Sequence, residues 1–323
     1  VSATGGARRP MLGYTVRRIL ATIPVVTVVA VFVFLLLRLT GGDPAAIIAG
    51  DSATTQQVAE IRVKLGLERP IVQQFAIWVG RIVQGDFGES FFFKKQVAEL
   101  IRDRLEPTAA LAVCTLLLAV TVAVPLGVVA AAMRGTWIDR AVMGFAVLGF
   151  SVPVFVIGYL LMYLFAIQLA WLPVQGYQRL AEGFWGFLQR LILPSVTLAV
   201  IYVALIARIT RTSVLEVLGA DHVRTARAKG LGEGAVLLRH VLRNAAVPIV
   251  TVIGLGVALL IGGVVVTESV YGIPGLGRLT VDAVLARDYP TVQAVILLFS
   301  VVYVLINLLV DLTYTFLDPR IRY

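Results

Sequence analysis

Six apolar stretches divide the chain, and each has about the 20 residues that a helix needs to cross the hydrocarbon core of a membrane. They cover residues 19–39, 109–133, 141–169, 191–209, 248–267 and 291–317. Pro153 interrupts the third stretch and glycines lie within the fifth, which indicates kinks or close helix packing. The pattern predicts an all-α integral membrane protein with six transmembrane helices.

The polar segments predict how these spans are organised. Residues 1–10 are Gly-rich and basic, and we interpret them as a disordered leader before a single six-helix domain over residues 11–323. The loop over residues 41–107 is expected to fold as a subdomain. Its helices are predicted over residues 53–65, 71–83 and 97–105, the second with one apolar face made of Phe75, Trp78, Val79 and Ile82. This subdomain is interpreted as a lid, as a docking surface for an external binding protein, or as both.

The composition agrees with a membrane protein. Hydrophobic residues make up 59% of the chain and charged residues 15%, with a mean hydropathy of +0.91, whereas a soluble domain is about a quarter charged. The net charge of +9 comes without a basic stripe of interleaved aromatic residues, so it indicates cytoplasmic loops and anionic lipid rather than nucleic acid. Cys114 is the only cysteine, which excludes an intrachain disulfide, and no Cys/His cluster has the spacing of metal ligands.

The positions of lysine and arginine predict the orientation, because short cytoplasmic loops carry an excess of both. Basic residues gather before the first span, between the second and third, between the fourth and fifth, and after the sixth. The long loop over residues 41–107 escapes this rule, and acidic residues balance its charges. We therefore predict that both termini are cytoplasmic and that this long loop lies on the outer side.

The loop over residues 208–247, between the fourth and fifth spans, contains a predicted surface helix. Asp221 is the predicted N-cap, the helix covers residues 222–229, and Gly230 suits the left-handed position that follows a helix. A second helix is predicted over residues 233–243.

The composition of this surface helix suits a protein partner. Ala226 and Ala228 are small enough to allow close approach, while Arg224, Arg227 and Lys229 could steer an acidic surface towards the helix. The alternative interpretation is a basic loop that lies on anionic lipid.

The segment from Tyr271 to Arg278 combines three glycines with Pro274, a composition typical of a tight, irregular turn. One interpretation is an outer hairpin that caps the helix bundle, and the other is a gate or a contact for an external binding protein. The candidate residues for the second interpretation are Glu268, Tyr271, Pro274, Gly275, Gly277 and Arg278.

The chain offers little for catalysis. Its only histidines, His222 and His240, lie in the basic loop, and the motifs of serine hydrolases, zinc proteases and phosphate-binding loops are absent. Asn307 and Asp311 share one face of the sixth span, but Asp311 lies near the span's inner end, which favours packing. We therefore predict no catalytic residues, no metal site and no carboxylate relay for a proton-coupled carrier.

The basic loop resembles the permease signature of bacterial ABC importers, a Glu-Ala-Ala stretch followed by three residues and a glycine. Residues 224–231 read Arg-Thr-Ala-Arg-Ala-Lys-Gly-Leu, and residues 238–245 read Leu-Arg-His-Val-Leu-Arg-Asn-Ala. Both are similar to the dipeptide, oligopeptide and nickel permease branch, in particular its B-type dipeptide subunits, as are residues 42–45, 271–278 and 318–322. Arg224 and Thr225 depart from the general signature, and this branch commonly lacks the Glu.

The resemblance implies a type I ABC importer permease fold and a division of labour. A coupling helix would dock onto a cytoplasmic ATPase through Asp221, His222, Arg224, Thr225, Ala226, Arg227, Ala228, Lys229, Gly230 and Leu231. The implied partners are a second, homologous permease, two ATPase subunits or domains that hold ATP and Mg, an external substrate-binding protein and the lipid bilayer. This chain itself would bind no cofactor.

The same resemblance implies a multi-pass location in the bacterial cytoplasmic membrane and the import of short peptides. Nickel chelates and haem are the alternative substrates of this branch. A self-contained secondary carrier is the alternative mechanism, and it would need ionisable residues around a central site or an inverted repeat.

Overall fold

A computed structural model describes residues 8–39, 45–46, 54–64 and 66–317, and these are mostly helical. The α-helices are α1 (Arg8–Leu39), α2 (Thr55–Lys64), α3 (Ile71–Val83), α4 (Val97–Ala132), α5 (Trp137–Ser151), α6 (Val154–Leu161), α7 (Phe184–Leu218), α8 (Asp221–Ala228), α9 (Leu242–Tyr271), α10 (Leu276–Leu285) and α11 (Tyr289–Leu317). Shorter helical segments are the π-helices Met162–Gln168 and Val236–Val241, the 3-10 turn Leu180–Glu182 and the α-helical turn Glu233–Ala235.

Five of the six predicted spans are long helices in the structure, and the third is a bent pair of shorter helices. Among the described residues, five helices are long and apolar enough to cross a membrane: α1, α4, α7, α9 with the helical turns before it, and α11. The count reaches six when α5 is taken as one span with α6 and the π-helix Met162–Gln168, although this pair bends by 105° at Pro153. Proline cannot donate a backbone hydrogen bond and disfavours the helical conformation of the preceding residue, and Val152 is accordingly extended.

Several helix ends differ from the prediction. The helix predicted over residues 97–105 and the span predicted over residues 109–133 are not separate, since α4 runs without interruption through Pro107 and Pro125. Membrane helices tolerate proline where neighbouring groups satisfy the freed carbonyls. Helix α1 begins at Arg8, inside the predicted leader, because Pro10 has a backbone angle that suits a first helical turn. The rest of that leader, residues 1–7, lies outside the described residues, and the predicted domain limits stay a prediction.

The chain forms two compact units, each with its own packing. One is built mainly from Glu106–Arg278 and the other mainly from Gly13–Leu105 with Leu279–Val304. In the first unit, α7 is the central helix, because 61% of its most apolar 18-residue stretch is buried, whereas the figure for α4 is 22%. The core around it contains Leu111, Leu191, Leu198, Tyr202, Ile206, Leu260, Tyr271 and Ile273.

In the second unit, Asp288 joins two distant parts of the chain just before α11. Its buried carboxylate accepts hydrogen bonds from the hydroxyl of Ser90, the backbone N–H of Phe91 (3.0 Å) and the hydroxyl of Thr291 (2.7 Å). These bonds satisfy a charge that would otherwise be costly to bury. They fix the turn that begins at Ser90 against the start of α11.

Asp139 and Arg211 connect α5 and α7 within the first unit. The Asp139 side chain is only 6% exposed, and both of its oxygens accept hydrogen bonds from the Arg211 guanidinium, one of them at 2.8 Å. The same carboxylate accepts the backbone N–H of Gly135 (2.9 Å). One buried charge therefore holds two helices and the turn between α4 and α5.

Replacing Asp139 with Ala should lower the free energy of unfolding by about 3 kcal/mol, because it leaves a largely buried guanidinium without its carboxylate. Chemical or thermal unfolding in detergent would measure the loss. The exposed Glu182→Ala is the matched control and should change stability by less than about 0.5 kcal/mol. Equal stability of the two variants would show that this pair does not hold α5 to α7.

Candidate functional site

Helix α8 in the basic loop is fastened to the rest of its unit by an apolar face. Val223 and Ala226 are buried, at 0% and 5% exposed, and belong to one cluster with Val236 and Val241 of the following π-helix. Val223 and Ala226 are three positions apart, so both lie on the same side of the helix. The small size of Ala226 therefore serves packing within this chain, whereas the sequence suggested approach of a partner.

The opposite side of α8 carries exposed polar and basic residues. Of the candidate coupling residues, those exposed are Asp221, His222, Arg224, Thr225, Arg227, Ala228, Lys229 and Gly230. Leu231 is half-buried against the cluster beneath the helix. The helix therefore has one face committed to the protein core and one face open for docking.

The ends of α8 partly follow the sequence prediction. Ala220 occupies the N-cap position and Asp221, the predicted cap, is the first helical residue, where its charge still complements the helix dipole. The helix stops at Ala228, and Gly230 has a φ of +81°, the left-handed conformation expected of it. The predicted second helix does not end at Arg243, because its turns run directly into α9.

Arg227 and Glu233 form an ion pair across the turn that follows α8. The guanidinium donates two hydrogen bonds to the carboxylate, at 2.8 and 3.0 Å. These bonds raise the pKa of Arg227 above its ordinary value. Arg224, by comparison, lies 3.6 Å from the carboxylate of Asp221 and is 74% exposed. Of the basic residues on this face, Arg227 is therefore the one most constrained by its own chain.

Leu238 is a surface residue that sequence reasoning did not single out. It lies in the π-helix Val236–Val241 and is 71% exposed, although its neighbours Val236 and Val241 are fully buried. A π-helical turn has more than 3.6 residues, so ordinary helical spacing does not predict which of its side chains face outward. An exposed leucine beside a basic helix provides the apolar contact that docking surfaces commonly contain.

The second candidate region is built around a buried carboxylate. Glu268 is 0% exposed and accepts hydrogen bonds from the hydroxyl of Thr108 (2.6 Å) and the backbone N–H of Arg278 (2.9 Å). The Thr108 hydroxyl also accepts the backbone N–H of Leu276 (2.7 Å). The carboxylate thus organises the turn between α9 and α10 from within, and does not mark a surface boundary.

Gly275 is required at its position by close approach. A Cβ atom there would lie 2.1 Å from a carboxylate oxygen of Glu268, and one at Gly277 would lie 2.6 Å from the backbone of Val265. Tyr271 is also buried, and its hydroxyl bonds to Thr197 at 2.8 Å. Pro274 and Arg278 are the exposed members of the predicted outer set. These two are therefore the members of the set that lie at the surface, while the others are buried within the turn.

Within the part of the chain that the structure describes, no group of three or more His, Cys, Asp or Glu side chains could hold a metal ion. The geometry instead combines six apolar spans, an anchored basic helix and a turn shaped by a buried carboxylate. These features define a multi-pass membrane protein.

Comparison with known proteins identifies the family. Residues 123–323 match the family described as binding-protein-dependent transport system inner membrane component, and residues 11–112 match the N-terminal part of the same type of membrane component. The chain therefore belongs to this family of ABC transporter permeases.

Curated relatives extend over nearly the whole chain. The probable peptide ABC transporter permease protein y4tP of Sinorhizobium fredii is 56% identical, over 96% of this chain and 99% of that protein. The glutathione transport system permease protein GsiC of Salmonella typhimurium is 45% identical, over 97% and 100%.

A solved structure supports the fold. A chain of the inward-facing MetNI methionine ABC transporter superposes with a TM-score of 0.56 at 18% identity, covering 68% of this chain and 96% of that chain. The fold is that of a type I importer permease.

Gly275→Ala should destabilise the turn, because its methyl group would overlap the Glu268 carboxylate. The expected loss is about 1–3 kcal/mol of unfolding free energy, the usual cost of overpacking a well-filled interior. Gly262→Ala in α9 is the matched control, since a Cβ there has no neighbour within 4 Å. Comparison of thermal unfolding for the two variants tests this, and equal melting temperatures would contradict the packing described.

Proposed function

We propose that this chain is the membrane-spanning subunit of an ATP-driven importer that passes short peptides, delivered by an external binding protein, into the cytoplasm. Family membership supports the role of a permease. The printed names of the relatives, which refer to peptide and glutathione transport, support the substrate class, since glutathione is itself a short peptide. The chain would be a non-catalytic subunit, with ATP and Mg held by its partners.

The observation that carries this proposal is the two-sided construction of α8. Its buried residues Val223 and Ala226 attach it to the other helices of its own unit, and its exposed basic residues lie on the opposite side. A docking helix must be fixed on one side if movement of an ATPase is to reach the spans as a change between two states. We assign Arg224, Lys229 and Leu238 as the principal contacts and Arg227 as a residue that also shapes the turn.

The proposed arrangement places both termini and α8 in the cytoplasm of a bacterium and the loop over residues 41–107 outside the cytoplasmic membrane. The excess of basic residues on the side of α8 supports this orientation. A complete transporter would contain a second, homologous permease and two ATPase subunits or domains. Pro274 and Arg278, exposed in the turn after α9, are the proposed contacts to the external binding protein.

Reversing the charges of Arg224 and Lys229 to Glu should uncouple transport without unfolding the membrane domain. Both side chains are exposed, so their replacement leaves the packing of α8 intact. We expect peptide uptake to fall about tenfold, which corresponds to about 1.4 kcal/mol of lost interaction. Arg227 is left in place because its reversal would also break the pair with Glu233.

The control for this experiment is Arg140→Glu, a charge reversal at an exposed residue on the same predicted side of the membrane. Uptake, co-purification of ATPase subunits and thermal stability would be measured for each variant. Unchanged uptake in the double variant, or an equal loss in the control, would remove the docking role from α8.

Uptake by the reconstituted transporter should depend on ATP and should be inhibited by competing di- and tripeptides, including glutathione. Dissipating ion gradients with ionophores should leave it unchanged, because the proposed energy source is ATP. The accumulation of a labelled dipeptide in proteoliposomes would be measured with ATP inside or outside, with competing peptides, and with ionophores. Inhibition of uptake by nickel chelates or haem, but not by peptides, would contradict the proposed substrate class. Uptake that ionophores abolish and that does not require ATP would favour a secondary carrier.

A further inference from the structure

Helix α3 packs on α1 through the aromatic face that the sequence predicted. The ring of Phe34 lies 5.2 Å from that of Phe75 and 5.5 Å from that of Trp78, measured between centroids. Phe34 is next to the last residue of the apolar window Arg18–Leu35. Because α1 crosses the membrane, this contact places α3 at the level where the first span leaves the hydrocarbon core.

A second apolar stripe on α3 is largely exposed. It consists of Val72, Ala76, Val79 and Val83, which follow one another at intervals of four, three and four residues and so share a side of the helix. Val72 is 74% exposed and Val83 is 81% exposed, whereas Val79 is half-buried. The stripe borders the aromatic face and shares Val79 with it.

The remaining flank of α3 carries its exposed polar residues. Gln73 and Arg81 lie there with Ile77, which is 38% exposed, between them, and Arg81 is the only charged residue among the 13 of this helix. At about 100° per residue, Gln73 points roughly a quarter turn away from Val72. The helix therefore has three sectors: one packed on α1, one apolar and open, and one polar and open.

The geometry points to α3 as a membrane-surface helix, whose stripe Val72, Ala76, Val79 and Val83 inserts between the lipids around the first span. Thirteen residues extend only about 20 Å, too short to cross a core of about 30 Å. A helix with one apolar side, one polar side and a single arginine near the headgroups has the form of an interfacial helix.

Two observations favour lipid over a protein as the occupant of this stripe. Helix α1, on which α3 packs, is itself exposed along its apolar length, since Val28 is 68%, Val31 38% and Phe32 59% exposed in the turns that precede Phe34. The stripe itself carries no charge or hydrogen-bonding group, so it offers no electrostatic complementarity for a soluble binding protein. This inference is independent of the substrate and of the ATPase contacts proposed above.

The test is depth-dependent quenching of a fluorophore on single cysteines. Val72→Cys, Val83→Cys and Gln73→Cys would be made in a Cys114→Ala background, labelled with bimane and reconstituted, as the whole purified assembly, into vesicles of phosphatidylcholine with or without brominated acyl chains. We expect a blue shift and loss of emission in brominated vesicles at residues 72 and 83. The label at residue 73, on the polar flank of the same helix, should keep its emission.

Each other outcome overturns the inference in a distinct way. Emission unchanged by brominated lipid at residues 72 and 83 would show that the stripe does not contact lipid. Emission at these two residues that responds only to added binding protein would identify a docking surface. Equal quenching at all three positions would show that α3 is immersed and does not lie at the membrane surface.

Discussion

Backbone polar groups inside a bilayer have no water to bond with, and this requirement governs most of the structure. It explains why the spans are long helices and why the one sharp break, at Pro153, divides a span into two shorter helices that each bond internally. It also explains the pairing of polar groups near span ends. Glu268 accepts bonds from Thr108 and the Arg278 N–H, so a charge at the end of α9 becomes the centre of a folded turn.

The features that the sequence predicts well are those with a periodic or length signal. The spans follow from apolar length, and the aromatic face of α3 follows from helical spacing, since Phe75 and Trp78 do contact Phe34. The left-handed Gly230 follows from local turn chemistry. Each of these depends on neighbours in the chain, which is the information that one sequence holds.

The features that the sequence does not predict depend on partners far along the chain. The sequence presents Glu268 as a candidate gate or contact residue and does not predict its burial, because Thr108, which lies 160 residues away, gives no local signal. The sequence predicts Ala226 to be a contact residue because its burial depends on a cluster whose other members, such as Val236 and Val241, lie beyond the following turn. The sequence predicts two segments in place of α4, because a proline such as Pro107 usually ends a helix. Packing with other parts of the chain, which one sequence does not reveal, keeps α4 continuous.

On the proposed function, the way in which α8 is attached decides how a pull on it would reach the membrane. Its buried residues pack on Val236 and Val241, which belong to a π-helix that runs without a break into α9. Force on the docking helix would therefore be applied to the first turns of that span. At the other end of α9 lies the turn built on Glu268, so one helix joins the proposed ATPase contact to the proposed outer contact. The π-helix Val236–Val241 has a less regular hydrogen-bond pattern than α9. It is therefore the place where this continuous helical segment would bend.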